Sequence, residues 1–201
     1  MKINALIKLC KNKGAFCLYD RVNDEGGITE QWLGARGTAY PLSGLPYLTE
    51  DNIIALFDIT EKQREKIHIS HGPLPESLSF EHTDDGEIML DREIMTMGYG
   101  GRIVRPLITR NGLEFIDNDF LTPLADVADT LELFERQSSD GRTYFAAKMG
   151  LMVVGIFTPL SIIEEKLVEN METLAAKCRA ALKEKIRRDA EDAGQIHIGE
   201  V

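Results

Sequence analysis

Three of the four histidines, His68, His71 and His82, lie close together in the chain, with Asp84 and Asp85 directly behind them. Imidazole and carboxylate in one neighbourhood suit a divalent metal or an acid–base pair. A metal-assisted hydrolase using His68, His71, His82 and Asp84 is therefore the enzymatic reading of the chain. The spacing matches no strong pattern, however. His-Ile-Ser-His is not the helical HExxH arrangement, and on a strand residues 68 and 71 face opposite ways. Asp84-Asp85-Gly86 is equally well explained as turn chemistry. The structural alternative is strand or loop histidines beside a solvated turn.

A second constellation is Met97-Gly98-Tyr99-Gly100-Gly101-Arg102. Successive glycines can bare backbone N–H groups to an anion, and a following arginine can close on it. Gly98, Tyr99, Gly100, Gly101, Arg102 and, further on, Arg105 are thus the candidate ligand-binding residues. Tyr99 would stack on a base and Arg102 pair with a phosphate. The segment lacks the Gly-Lys-Ser/Thr of a P-loop and the strand–GxGxxG–helix context of a dinucleotide site. Its structural alternative is a link between two strands. Trp32, the only tryptophan, and Tyr40 in the Gly/Pro-rich stretch that follows join the candidate list as aromatic binding-wall residues. Plugging a satellite core under a long loop is their alternative role. Convergence of the Gly98–Arg102 and Trp32–Tyr47 segments in one concavity would favour small-molecule capture, and wide separation would favour occlusion of a protein partner.

Other chemistry is excluded by position. Asp117-Asn118-Asp119 begins like a calcium loop, but the sixth position is Thr122 and the twelfth Ala128, where an EF-hand needs Gly and Glu. No serine or cysteine sits in a GxSxG elbow. Cys17 lies in an apolar strand and reads as core. A glycosidase pair cannot be picked out of 33 acidic residues. No catalytic residue, metal site or cofactor is assigned.

These residues need a scaffold, and the pattern predicts an α+β fold: an antiparallel, meandering sheet with an N-terminal helix, a short inserted helical pair and a long C-terminal amphipathic helix. Residues 2–12 form the first helix, stopped by Gly14. Strands are predicted over 16–22, 28–33 and 38–42. Thr49 opens one helix, with Leu48 and Ile53 at staple positions, and Thr60-Glu61-Lys62-Gln63 is a capping box opening another. A strand over 66–70 follows. Hairpins then divide at Asp85-Gly86, Asn111-Gly112, Asp140-Gly141 and Met149-Gly150, with Asn-Gly the strongest of these turn signals. All are antiparallel signals.

The last segment is the most informative. From Thr158-Pro159, Leu160, Ile163, Leu167, Met171, Leu174, Cys178, Leu182 and Ile186 recur three or four apart, one face of a helix over 158–194. More than thirty residues span about 45–50 Å at 1.5 Å per residue. That exceeds the width of a compact domain of this size, so the stripe needs a second surface, and another copy of the chain is the expected partner. Glu164, Glu165, Glu169 and Glu172 precede Lys177, Arg179, Lys183, Lys185, Arg187 and Arg188, as the helix dipole favours. The expected organisation is a core domain over 1–157, this helix over 158–194 as an oligomerisation element, and 195–201 as a tail or edge strand.

With 201 residues, 43% apolar, the chain can bury one core. A net charge of −10 disfavours general nucleic-acid binding and anionic membranes. Cys10, Cys17 and Cys178 form no CxxC pair and suit the free thiols of a reducing cytosol. No apolar run is long enough to span a membrane.

The stretches Phe16-Cys17-Leu18-Tyr19-Asp20, Gln31-Trp32-Leu33-Gly34, Ala39-Tyr40-Pro41-Leu42 and Tyr144-Phe145-Ala146-Ala147-Lys148 resemble small uncharacterised proteins of phages and prophages of gut Firmicutes. The resemblance brings no activity and no catalytic residue. It implies a small protein of the host bacterial cytosol that works by binding. The expected function is a non-catalytic, homo-oligomeric binding protein, acting in counter-defence by sequestering a nucleotide-like signal or occluding a host protein. The hydrolase above and a structural or replication accessory protein are the alternatives.

Overall fold

The computed structural model describes residues 1–91 and 95–196, with side chains of the last helix described through residue 191. The fold is α+β, and the chain divides into two compact units, Met1–Leu160 and Ser161–Val201.

In the first unit α1 (Ile3–Lys13) runs into β1 (Ala15–Val22), β2 (Ile28–Gly34) and β3 (Thr38–Pro41). Gly14 ends α1 in the left-handed region at φ 65°. The short helices α2 (Glu50–Leu56) and α3 (Glu61–Arg64) follow, each opened by a complete capping box, at Thr49–Asn52 and Thr60–Gln63. Next come β4 (His68–Pro73), β5 (Ile88–Met89), β6 (Met97–Tyr99), β7 (Arg102–Thr109) and β8 (Gly112–Asp117). A 3-10 helix (Asn118–Leu124) leads to β9 (Leu131–Gln137), β10 (Thr143–Met149) and β11 (Met152–Phe157). Eight strands form one sheet in the order β4-β1-β2-β3-β11-β10-β9-β5, and β6-β7-β8 form a second.

Two features depart from the expected meander. β4 pairs with β1 in parallel, from Ala15↔His68 to Asp20↔Pro73. Two strands and two helices separate them in sequence, which is the long crossover that a parallel neighbour requires. The expected hairpin at Asp85-Gly86 does not form. Only Ile88 and Met89 pair, with Glu135 and Phe134 of β9, and residues 74–87 instead cross a sheet face as a strap. Asp84 still makes its turn, accepting from the Gly86 N–H at 2.9 Å.

Strand alternation sends side chains to opposite faces, and both faces are covered. One carries Phe16, Leu18, Leu33, Phe145, Ala147 and Phe157 against Leu6, Leu9 and Cys10 of α1, Ile53 of α2, and Phe120 and Leu124 of the 3-10 helix. The other carries Trp32, Tyr144, Ala146 and Ile156 against Phe80 of the strap. Where β2 turns into β3 the backbones approach so closely that a Cβ on Gly34 would stand 1.8 Å from the Thr38 carbonyl oxygen.

In the second unit, α4 (Glu165–Ile196) is a single helix of 32 residues. It begins at Glu165, later than the Thr158-Pro159 signal, so Leu160 and Ile163 precede it. Gln195 and Ile196 continue it, and the expected tail beyond, residues 197–201, lies outside the described residues. Glu184 pairs with Arg187 at 2.8 Å and with Arg188 at 3.0 Å. Among the described residues no helix is long and apolar enough to cross a membrane.

Candidate functional site

The sequence of β7 alternates so that Arg105 and Leu107 share a face, and β9 begins with the leucine pair Leu131 and Leu133. Between these strands, β5 and the 3-10 helix lies a cavity of about 570 Å³. Its walls are Leu90, Leu107, Leu121, Leu131 and Leu133, with Met89 on the β5 side. The half-buried Arg105 enters it beside Asn118, and its Nη2 donates to the Asn118 side-chain oxygen at 3.3 Å. Asp91, Asp129 and Glu132 stand exposed around it. The volume falls within the roughly 300–1,000 Å³ typical of small-molecule sites, and apolar walls with a few polar groups are their usual composition.

A guanidinium carries five N–H donors in a planar fork, so it can orient a carboxylate or phosphate. Among the described residues Asp91 and Glu132 add exposed negative charge around the same space. Such a lining can hold an apolar or aromatic body with a polar or anionic group near Arg105.

Two anchors fix the walls. Asp117, buried at the end of β8, accepts from the Asp119 N–H at 3.0 Å, which caps the 3-10 helix, and receives Lys13 of α1. On the opposite sheet face Glu87, directly before β5, ties the strap down. Its carboxylate meets Arg136 Nη2 at 2.5 Å and Lys148 Nζ at 2.5 Å, and both cations are almost fully buried. Arg136 also donates to the carbonyls of Ser79 and Glu81, at 3.2 and 2.9 Å. Lys148 lies over the Phe134 ring, 4.6 Å from its centre. Burial alone would raise the Glu87 carboxyl, but hydrogen bonds from Lys148 and Arg136, with their charges, hold it below the ordinary glutamate range. Tyr144 OH receives the Ser79 N–H at 2.9 Å. Arg110, at the β7–β8 turn, reaches back to the fully buried Glu135 at 2.7 Å and to the Gly86 carbonyl at 2.7 Å.

Most residues that the sequence singled out have other duties. Gly100 and Gly101, at φ 57° and 77°, are the two central residues of the tight β6–β7 turn, with Tyr99 opposite Arg102. Both central residues at positive φ is the two-residue hairpin geometry that glycine favours, which accounts for the pair without an anion. Gly98 lies on the strand beside it, and Arg102 is exposed, 4.0 Å from Asp117. None of Gly98 to Arg102 lines the cavity. Of the candidate ligand residues only Arg105 does.

Trp32 is fully buried, edge-on to Phe80 at 4.9 Å, and its indole N–H has no acceptor among the described residues. Tyr40 is fully buried too and donates to the Phe120 carbonyl at 2.6 Å. Burial, then the neighbouring Cys10 charge, pushes its phenol well above the ordinary range and keeps it a neutral donor. Both aromatics are core residues and not a binding wall. Tyr47 lines a separate groove of about 480 Å³ with Arg21, Glu30, Gln31, Glu81 and His82. The Gly98–Arg102 and Trp32–Tyr47 segments therefore do not converge.

The histidine cluster is not assembled either. His68 and His71 stand opposite Ala15 and Leu18 in the β1–β4 register, on opposite sides of the strand. His71 Nε2 meets Asp20 at 2.6 Å, and Asp20 takes the Gln31 amide at 2.7 Å. His82 Nδ1 accepts the Val153 N–H at 3.3 Å. Among the described residues no three metal-ligating side chains gather in one place.

The signal that sequence reading passed over was the leucine alternation of Leu131 and Leu133 facing the Arg105–Leu107 pair, which shows only once β9 and β7 are packed together. No family model matches the chain, nor does any curated protein or solved structure.

Proposed function

We propose that this protein is a non-catalytic binding protein. Its cavity captures a small molecule carrying a single anionic group on an apolar or aromatic body, with Arg105 holding the anion. The observation that carries this reading is Arg105 entering a leucine-walled space of about 570 Å³. Nucleotide-like signals with one phosphodiester charge fall within the class, as do aromatic carboxylates. The resemblance to phage and prophage proteins fits a role in counter-defence within the host cytosol, with assembly as a homo-oligomer through α4.

The test is calorimetric titration with a panel of cyclic mononucleotides, nucleoside triphosphates and aromatic carboxylates. A monoanionic member binds the wild type at micromolar concentration. Loss of a charged hydrogen bond costs about 1.5–3 kcal/mol, so Arg105→Ala weakens that binding about tenfold or more. Ala128→Trp, which fills the cavity from its exposed side, abolishes it. A panel that fails to bind, or binding indifferent to both substitutions, overturns the reading and leaves protein occlusion in its place.

A further inference from the structure

We infer that α4 pairs with α4 of a second copy of this chain in antiparallel orientation. The inference deepens the assembly part of the proposed function and rests on it, since it specifies the geometry of that oligomer.

Two observations carry it. The first is an exposed apolar stripe: Val168, Met171, Leu174, Leu182 and Ile186 are all exposed, with the exposed Cys178 among them. Their spacing keeps them on one side of the helix. The second is charge that the helix leaves unused. Among the described residues Glu165, Glu169 and Glu172 make no ion pair, and neither do Lys177, Arg179, Lys183 and Lys185. Glu184, Arg187, Arg188 and Glu191 are by contrast paired within the helix. The unspent acids thus occupy the first half of the helix and the unspent bases the second, with Glu172 and Arg179 beside the stripe and Lys185 within it.

A parallel partner would set acid against acid and base against base. An antiparallel partner sets each acidic half beside the other copy's basic half, with the two-fold axis between Ala176 and Lys177. That axis places Met171 of one copy opposite Leu182 of the other, Cys178 opposite Ala175, and Leu174 and Val168 against the apolar stems of Arg179 and Lys185, whose charged ends reach toward the partner's acidic half. In this register the two copies of Met171 lie about 16 Å apart along the axis, at 1.5 Å per residue.

Single-cysteine variants in a Cys178→Ser background test the polarity, read by disulfide formation under mild oxidation and by light scattering. Cys10 and Cys17 are buried and stay silent. The expected result is a dimer in which Met171→Cys alone and Leu182→Cys alone give little covalent dimer, while an equimolar mixture gives the heterodisulfide in high yield. Ready crosslinking of Met171→Cys with itself overturns the antiparallel arrangement and leaves assembly through α4 standing. A monomer at tens of micromolar, for wild type as well as variants, overturns both. As a second measurement, dissociation of the wild-type dimer rises several-fold between low and high salt if the flanking charges attract. A dimer tightened by salt contradicts the charge argument.

Discussion

Replacing Glu87 with alanine should loosen the strap and leave two cations buried without their carboxylate. Arg136 is fully buried and Lys148 only 5% exposed at the side chain. Breaking a buried pair by removing one partner costs about 3–5 kcal/mol. Arg136 keeps the carbonyls of Ser79 and Glu81, and Lys148 keeps the face of Phe134, so the low end, about 3 kcal/mol, applies. At about 2–4 °C per kcal/mol for a unit of this size, the melting temperature should fall by about 6–12 °C.

Trp32 reports the local event, because it is the chain's only tryptophan and lies under Phe80 of the strap. Its emission in the folded variant should move to longer wavelength and be quenched more readily by acrylamide. The pH dependence follows from the depressed Glu87 carboxyl. Such a group stabilises the fold above its unfolded value, near pH 4.3, and that contribution is lost as pH falls through the lower folded value. The wild type should therefore lose stability in acid more steeply than Glu87→Ala. A variant within about 1 kcal/mol of wild type, with unchanged tryptophan quenching, would refute the strap as a fastened element.

Gly34→Ala should prevent folding or cost more than about 3 kcal/mol, because the new Cβ meets backbone that cannot retreat, whereas Gly98→Ala, with open space around it, should be well tolerated in thermal melts. Glu114→Gln should raise the melting temperature at pH 7: burial and then the Glu135 charge push the Glu114 carboxyl up, so its ionisation in the fold is unfavourable and stability falls as pH rises through that window. The gain should vanish in acid, and a variant less stable than wild type at pH 7 would contradict it. One thiol, Cys178, should react with Ellman's reagent in the native protein and three in denaturant, since burial and then Cys10's neighbour Cys17 push the Cys10 thiol up to about 12. If α4 pairs as inferred, the Cys178 rate should fall as protein concentration rises.

Local signals in the sequence located nearly every element. Gly14, Thr49 and Thr60 end or open helices where caps were expected, Asp140-Gly141 lies in a hairpin turn, and the turns expected at Asn111-Gly112 and Met149-Gly150 fall one residue away, at Arg110-Asn111 and Gly150-Leu151. What escaped was set by distance along the chain. Nothing local says that β4 returns to lie parallel beside β1. The Asp85-Gly86 turn was legible, but the residues before it had a better use than pairing: Phe80 covers Trp32, and the Ser79 and Glu81 carbonyls receive Arg136. The candidate site divided the same way. Gly100-Gly101 reads alike as an anion nest or a hairpin turn, and Tyr99↔Arg102 pairing makes it the turn. Trp32 and Tyr40 follow the hydrophobic alternation of their strands into the core. Arg105 was singled out for its neighbours in sequence and lies in a cavity built by others. That cavity needs β5, β7, the 3-10 helix and β9 in place before it exists.

The most direct measurement is a methyl and arginine side-chain NMR titration with the tightest ligand from the panel. Capture in the Arg105 cavity predicts saturable shifts at Leu107, Leu121, Leu131, Leu133 and the Arg105 guanidinium, all lost in Ala128→Trp. Shifts confined to the Tyr47–His82 groove, to α4, or to no region at all would contradict it.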